Sequence, residues 1–195
     1  MRHRRRTILV TGPIGSGKSL VCACLAGHGV PVYDCDARTK TLYNRRPALV
    51  AALETALGQP LRHPDGTLDR ARLAQVIFSS PQAREKLEAL VYPAVLQDFK
   101  RWRARRKGAP FVVLESAVIL SKPLFDGLAD EVILVTAPPE VRLARVQERD
   151  GLTREQVMAR MDAQLPVPSS AVTHTLVNDG NPEELCRRAE TLVFR

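Results

Sequence analysis

Residues 12–19 have the types and spacing that bind the phosphates of a nucleoside triphosphate. They read Gly-Pro-Ile-Gly-Ser-Gly-Lys-Ser, which is glycine, four residues, then glycine, lysine and a hydroxyl residue. The glycines allow a tight turn whose backbone N–H groups can face phosphate oxygens. The lysine can reach the β- and γ-phosphates, and the serine hydroxyl can ligate Mg²⁺. The segment therefore predicts a site for a nucleoside triphosphate and Mg²⁺.

The elements on either side of this segment are those that such a loop requires. Residues 7–11 are apolar and β-branched and predict a buried strand, whereas residues 19–28 predict a helix. Because the helix begins at the loop, its dipole and the N–H of Leu20 also favour an anion there. We therefore expect nucleotide contacts from the loop and the first helical turn: Gly12, Ile14, Gly15, Ser16, Gly17, Lys18, Ser19 and Leu20.

The rest of the chain alternates strands with helices, which predicts an α/β fold with a parallel sheet covered on both faces. The further predicted strands are 30–33, 111–115, 131–136 and 174–177. Prolines or capping residues mark helices that begin near residues 138, 153 and 182.

The segment between the second and third predicted strands carries no strand pattern and predicts an all-helical insertion. We expect helices at 47–57 and 69–78, and a longer helical stretch from Pro81 that is interrupted at Tyr92-Pro93. Such an insertion can cover the acceptor side of a phosphotransfer site.

Two aspartates follow the second predicted strand, at the sheet edge where ligands of doubly wound folds bind. A carboxylate there can accept the proton of an attacking hydroxyl group. Strand alternation would direct Asp34 and Asp36 to the same side, so the spacing does not choose between them. The alternative for Asp36 is the N-cap of a helix that begins near Ala37.

Glu115 ends an apolar strand, where phosphate-loop enzymes place an acid that holds Mg²⁺ directly or through water. An ordinary acid at a strand end is the alternative.

Arginines dominate a later segment. Arg142, Arg145 and Arg149 lie three and four residues apart and share one helix face. Arginines that close over a triphosphate neutralise developing charge, and the alternative is a solvated face balanced by Glu148 and Glu155. After the last predicted strand, residues 178–180 predict either a loop that contacts an adenine edge or a simple turn.

The ordered series of these motifs resembles the dephospho-coenzyme A kinase family over nearly the whole chain. The series comprises residues 11–19, 32–36, 65–69, 76–81, Tyr92-Pro93, 145–150, Leu152-Thr153, Gln164 and 178–180. The sequence departs from the family pattern at Tyr92, where histidine is usual, and in 164–170, where the end of the lid is shorter.

The resemblance implies transfer of the γ-phosphate of ATP to the ribose 3′-hydroxyl of dephospho-coenzyme A, with ATP and Mg²⁺ as cofactors. It implies a five-stranded phosphate-loop NTPase core of residues 1–36, 108–144 and 169–195, a helical acceptor-binding lobe of 37–107 and a lid of 145–168. By residue, it implies catalytic roles for Asp36, Lys18 and Arg145, ATP contacts for Arg149, Asn178 and Gly180, and Mg²⁺ at Ser19 and, through water, at Glu115.

Composition bounds the remaining classes. No apolar run approaches the roughly 20 residues that span a bilayer, and no signal-type segment is present, so we expect a cytoplasmic protein with Cys22, Cys24, Cys35 and Cys186 as reduced thiols. The net charge of +8 suggests polyanionic ligands, and we interpret the basic clusters at 2–6 and 101–107 as solvated faces. We expect dephospho-coenzyme A as a small-molecule partner, no nucleic acid, no membrane, and a monomer or weak homo-oligomer.

Two other functions stay open. One is a kinase of the same architecture that acts on another nucleoside, nucleotide or small hydroxyl metabolite. The other is an ATPase of a different class: either a nucleotide switch, which the sequence disfavours because it has no Asn-Lys-x-Asp and no Asp-x-x-Gly segment, or a nucleic-acid-binding ATPase, which only the positive charge suggests.

Overall fold

The computed structural model describes residues 5–195, so residues 2–4 of the basic N-terminal cluster lie outside the described residues. The chain divides into two compact units, one of Met1–Asp34 with Arg106–Arg195 and the other of Cys35–Arg105. The expected lid, 145–168, belongs to the first of these units. Within residues 5–195, no helix combines the length and the apolar character needed to cross a membrane.

The first unit is built on a five-stranded parallel sheet, which confirms the predicted fold class. Its strands are β1 (Arg6–Thr11), β2 (Val32–Asp34), β3 (Phe111–Glu115), β4 (Glu131–Thr136) and β5 (His174–Val177), in the spatial order β2-β3-β1-β4-β5. All neighbouring strands are parallel, so their carboxyl ends meet at one edge. The bounds of β3, β4 and β5 are those predicted, whereas β2 begins two residues later than predicted.

The helices of the described chain are α1 (Lys18–Gly27), α2 (Cys35–Arg45), α3 (Pro47–Leu57), α4 (Arg70–Ser79), α5 (Pro81–Ala104), α6 (Pro139–Asp150), α7 (Arg154–Asp162) and α8 (Pro182–Val193). Helices α1, α6, α7 and α8 belong to the first unit, and α2 to α5 form the second.

The core of the first unit lies around β1, the central strand. Ile8 and Val10 are fully buried and pack in one cluster with Leu25 of α1 and Ala189 of α8. Apolar side chains on both faces of β1 are buried, which fixes where the strand ends. The loop of residues 12–17 follows directly, so its position is fixed as well.

The predicted interruption at Tyr92-Pro93 is wrong, because α5 continues through Pro93 to Ala104. Proline removes one helical N–H donor. However, Val91 and Val95 on either side are both buried, and their packing keeps the helix continuous. In contrast, the predicted capping box of α7 is confirmed: Thr153 Oγ1 accepts from the N–H of Gln156, whose side chain accepts from the N–H of Thr153.

The prediction of four reduced thiols is wrong for two of them. Cys24 of α1 and Cys186 of α8 are joined by a disulfide, with their Cα atoms 5.6 Å apart. The two helices pack against each other, and this contact between residues far apart in sequence is not visible in the cysteine spacing. Cys22 and Cys35 are free and buried.

Candidate active site

The loop that joins β1 to α1 needs its glycines for two physical reasons. Gly15 and Gly17 have φ of 77° and 99°, in the left-handed region that side chains disfavour. In addition, a Cβ on Gly17 would lie 2.1 Å from Nδ2 of Asn178, and one on Gly15 would lie 2.6 Å from the carbonyl oxygen of Arg142. Both the backbone conformation and the close approach of neighbouring elements therefore exclude larger residues.

The ammonium group of Lys18 lies against the first half of the loop. Its Nζ donates to the carbonyl oxygens of Gly12 at 2.9 Å and Pro13 at 3.1 Å. The positive charge is thus held at the loop itself, where a bound phosphate would need it.

The loop leaves polar groups unsatisfied, as an anion site requires. The N–H groups of Ile14, Ser16 and Leu20 bond to Gln164 Oε1, Pro13 O and Gly17 O, at 2.7, 3.2 and 3.1 Å. Those of Gly15 and Gly17 have no acceptor within residues 5–195. Ser16 Oγ is buried and has no hydrogen-bond partner in the same part of the chain. An uncompensated buried polar group is costly, so these groups fit a triphosphate that would accept their hydrogens.

Ser19 and Glu115 form an oxygen pair at the end of the loop. Ser19 Oγ donates to Glu115 Oε1 at 2.8 Å, and Glu115 is buried at the carboxyl end of β3. Mg²⁺ typically takes one or two protein oxygens and completes its shell with water and phosphate oxygens. No group of three or more His, Cys, Asp or Glu side chains that could hold a metal ion occurs among the described residues. The pair therefore fits Mg²⁺ held together with a nucleotide.

Cys22 is a neighbour of this pair that the sequence analysis did not assign. It lies three residues after Ser19 on α1, and its thiol is buried. Burial, and then the carboxylate of Glu115, raise the pKa of the Cys22 thiol. The thiol stays protonated at neutral pH and adds no negative charge beside the oxygen pair. The helical spacing from Ser19 was the available signal.

The two candidate aspartates lie in different elements. Asp34 is the last residue of β2 and pairs in register with Glu115. Asp36 is exposed in the first turn of α2, which begins at Cys35. The argument from strand alternation is therefore wrong, because a helix begins between the two residues. Asp36 is also not a helix N-cap, since it lies inside the helix.

Within the second unit, Tyr92 has the position where the family usually has histidine. Its hydroxyl donates to Glu88 Oε1 at 3.2 Å. Burial raises the pKa of the Tyr92 phenol, and the carboxylates of Glu88 and Asp36 raise it further. Burial also raises the pKa of Tyr43 to about 12. Tyr92 is thus a neutral hydrogen-bond donor at physiological pH.

The arginines of α6 each have a partner inside the first unit. Arg142 Nε donates to the carbonyl oxygen of Ala137 at 3.2 Å. Arg149 forms a two-armed ion pair with Asp150, at 2.7 and 3.0 Å, which lowers the pKa of Asp150. The counter-charge of Arg149 is therefore Asp150, whereas the alternative of a solvated face expected Glu148 and Glu155.

Arg145 is held by Asn178. Its Nη2 donates to Asn178 Oδ1 at 3.1 Å, and its Nη1 donates to the Asn178 carbonyl at 3.5 Å. Asn178 is buried directly after β5, whereas Gly180 is exposed. Asn178 Nδ2 in turn donates to the carbonyl of Ser16 at 2.9 Å. Both polar atoms of this side chain are engaged with protein, and its contact with adenine stays a prediction.

A cavity of about 280 Å³ lies beside the loop. Its lining comes from the loop, β4, α6 and the segment at the end of α7, and includes Gly12, Pro13, Thr136, Arg142, Met161 and Gln164. Because Gln164 also bonds to Ile14, the end of the segment expected as a lid is attached to the loop.

Comparison with protein families gives one match that spans most of the chain. The protein-family model described as dephospho-CoA kinase matches residues 6–184 of this chain. Among curated proteins, a dephospho-CoA kinase of Porphyromonas gingivalis is 38% identical over 175 residues, which cover 88% of this chain and 85% of that protein. One of Thermus thermophilus is 37% identical over 188 residues, which cover 94% of this chain and 88% of that protein.

Solved structures agree at the level of the fold. A crystal structure from Thermus thermophilus has a TM-score of 0.83 and 35% identity, and the match covers 98% of this chain and 97% of that chain. A dephospho-CoA kinase from Campylobacter jejuni has a TM-score of 0.62 at 20% identity, over 97% and 96% of the two chains. Shikimate kinase from Acinetobacter baumannii has a TM-score of 0.56 at 15% identity, over 97% and 93%. The last two likenesses concern the fold alone.

Proposed function

The chain belongs to the dephospho-CoA kinase family, and we propose that it transfers the γ-phosphate of ATP to the ribose 3′-hydroxyl of dephospho-coenzyme A. One observation carries the proposal: a phosphate-binding loop that ends in Lys18 and Ser19, with Ser19 bonded to Glu115 at 2.8 Å, lies within the matched residues.

In this proposal the loop binds and orients the triphosphate. The N–H groups of Gly15 and Gly17 meet phosphate oxygens, and Lys18 stabilises charge on the transferring phosphoryl group. Ser19 and, through water, Glu115 hold Mg²⁺, which neutralises phosphate charge when it is bound. Because these groups are fixed by β1, β3 and α1, they need little reorganisation when charge develops.

We propose Asp36 as the base that accepts the proton of the 3′-hydroxyl, because the family places its catalytic aspartate at this position of the motif. Arg145 and Arg149 neutralise phosphate charge when the lid closes, and Asn178 to Gly180 lie at the adenine. The second unit supplies the surface for dephospho-coenzyme A. We further expect the reaction to take place in the cytoplasm, on a monomer or weak homo-oligomer, without nucleic acid.

A coupled assay tests the function. ADP release is measured with ATP and Mg²⁺, with and without dephospho-coenzyme A, and the product is identified by mass and by its phosphate position. We expect release that depends on the acceptor and a product identical to coenzyme A. An acceptor that lacks the 3′-hydroxyl serves as the control and should give no product. If another hydroxyl metabolite is phosphorylated and dephospho-coenzyme A is not, the proposed acceptor is wrong and that metabolite takes its place.

A further inference from the structure

Two carboxamide side chains from distant parts of the chain form hydrogen bonds with the backbone of the phosphate-binding loop. Gln164 accepts a hydrogen bond from the N–H of Ile14 at 2.7 Å. Asn178 donates from Nδ2 to the carbonyl of Ser16 at 2.9 Å. The second contact is buried, since Asn178 and Ser16 are exposed by only 3% and 0%.

The contact with Ser16 fixes the orientation of one peptide group. The carbonyl of Ser16 and the N–H of Gly17 belong to the same peptide, and the described peptide bonds are all trans. In a trans peptide the C=O and the N–H point in opposite directions. Since Asn178 holds the carbonyl on the outside, the N–H of Gly17 points away from Asn178, to the side on which such a loop receives phosphate.

The same side chain holds Arg145 through its other polar atom. Asn178 Oδ1 accepts from Arg145 Nη2 at 3.1 Å, so one amide group bridges the loop and α6. The peptide flip that would point the Gly17 N–H outward would also leave Nδ2 of Asn178 unpaired in a buried place, which is costly.

We propose that Asn178 is a positioning residue, which acts through the Ser16–Gly17 peptide on phosphate binding and through Arg145 on phosphoryl transfer. The proposal rests on the proposed use of ATP by the loop. Asn178 does not need to touch the nucleotide for either effect.

Two substitutions separate the two effects. Asn178→Asp removes the donor to Ser16 but keeps an acceptor for Arg145, so ADP should bind about tenfold or more weakly, while kcat at saturating ATP falls less. Asn178→Ala removes both side-chain contacts and leaves Arg145 only the longer bond to the main-chain carbonyl at 3.5 Å, so kcat should fall at least about tenfold below that of Asn178→Asp. Binding of ADP is measured by calorimetry, and kcat and KM for ATP by the coupled assay.

The matched control is Asn181→Asp, three residues further along. Within residues 5–195, the hydrogen bonds of the Asn181 side chain all use its acceptor oxygen, which caps α8 by accepting from the N–H groups of Glu183 and Glu184. An aspartate keeps that function, so ADP affinity should stay at the wild-type value. The control carries the same change of charge as Asn178→Asp.

A merely structural role would lower the melting temperature and the fraction of folded protein without changing the affinity of that fraction for ADP. That result, or a loss of affinity in Asn181→Asp equal to that in Asn178→Asp, overturns the proposal. If Asn178→Asp does not fold, Asn178→Ser is measured in the same way and must also weaken ADP binding. A wild-type chain that binds ADP but does not phosphorylate dephospho-coenzyme A overturns the proposed acceptor only.

Discussion

Lys18 shows how much of the site depends on single side chains. Its ammonium is bonded to two carbonyl oxygens of the loop, so its position is fixed before any ligand arrives. A charge that is already in place stabilises the transferring phosphoryl group without the cost of moving it there.

Lys18→Ala should lower kcat by about 10²-fold or more, because one preorganised charge is lost from the transition state. The fold should be retained, because the core of the first unit is formed by other side chains, among them Ile8, Val10 and Leu25. Arg195→Ala, which removes an exposed positive charge outside the loop and the helical unit, is the control and should keep wild-type turnover. Near-normal kcat in Lys18→Ala would contradict the phosphate-loop interpretation.

At this scale, the sequence predicts what is local. Lys18, Ser19 and the loop glycines follow from one contiguous motif. The contact of Asn178 with Ser16 and Gly17 does not follow from that motif. Asn178 lies far along the chain and comes near the loop only when β5 has joined the sheet. The oxygen pair was predictable as two separate ligands, but its hydrogen bond depends on β1 and β3 being neighbours.

At the scale of elements, the junction of β2 and α2 determines where the two candidates for the catalytic base lie. The boundary at Cys35 places Asp34 in the strand and Asp36 in the helix, so the two carboxylates belong to different secondary-structure elements. The resemblance to the family chooses Asp36, and the local geometry offers Asp34 beside Glu115 as its competitor.

Asp36→Asn should lower turnover by about 10²–10⁴-fold with little loss of ATP affinity, as expected for a base in phosphoryl transfer. Asp34→Asn should do less. Single-turnover rates and equilibrium binding of an ATP analogue measure the two quantities separately. If Asp34→Asn is the more damaging change, the assignment of the base is wrong.

Helix α6 reaches from the core into the segment expected as a lid, and Arg149 lies in its last turn. Arg149→Ala should lower kcat more than ATP affinity, because we propose that its charge acts on the nucleotide only when the segment 145–168 closes. Arg154→Ala is the control: Arg154 pairs with exposed Glu140, and its loss should leave kcat unchanged.

The wild-type chain should also hydrolyse little ATP without acceptor. Vigorous acceptor-independent hydrolysis, or normal turnover in Arg149→Ala, would show that this shortened lid works differently.

Strands and caps were predicted better than helix continuity. The bounds of β3 to β5 follow from apolar runs between turn residues, and the cap of α7 follows from Thr153 and Gln156 alone. The error at Pro93 has a different cause, because the packing of Val91 and Val95 outweighs a local helix breaker.

At the scale of the whole molecule, the disulfide between α1 and α8 joins residues separated by 162 positions. A cross-link over so long a loop should stabilise the folded state by roughly 5 kcal/mol in the chain-entropy account. The oxidised protein should therefore melt at a higher temperature than the protein treated with a reductant.

A variant with both Cys24→Ser and Cys186→Ser should melt like the reduced protein and should not respond to the reductant. Counting free thiols in the denatured, non-reduced wild type gives an independent check, with Cys22 and Cys35 as the expected free pair. Four free thiols there would contradict the cross-link.

The central position of β1 has a consequence for the order in which the chain folds. β1 pairs with two strands that come much later, Arg6 with Phe111 and Ile8 with Glu131. Closing such long loops is slow, whereas the helical unit of Cys35–Arg105 is contiguous and forms from nearer contacts. During synthesis, β1 must wait as an unpaired apolar segment until β3 has left the ribosome. We therefore expect amides of the helical unit to gain protection first in pulse-labelled hydrogen exchange, and those of β1 and the loop that follows it to gain protection last.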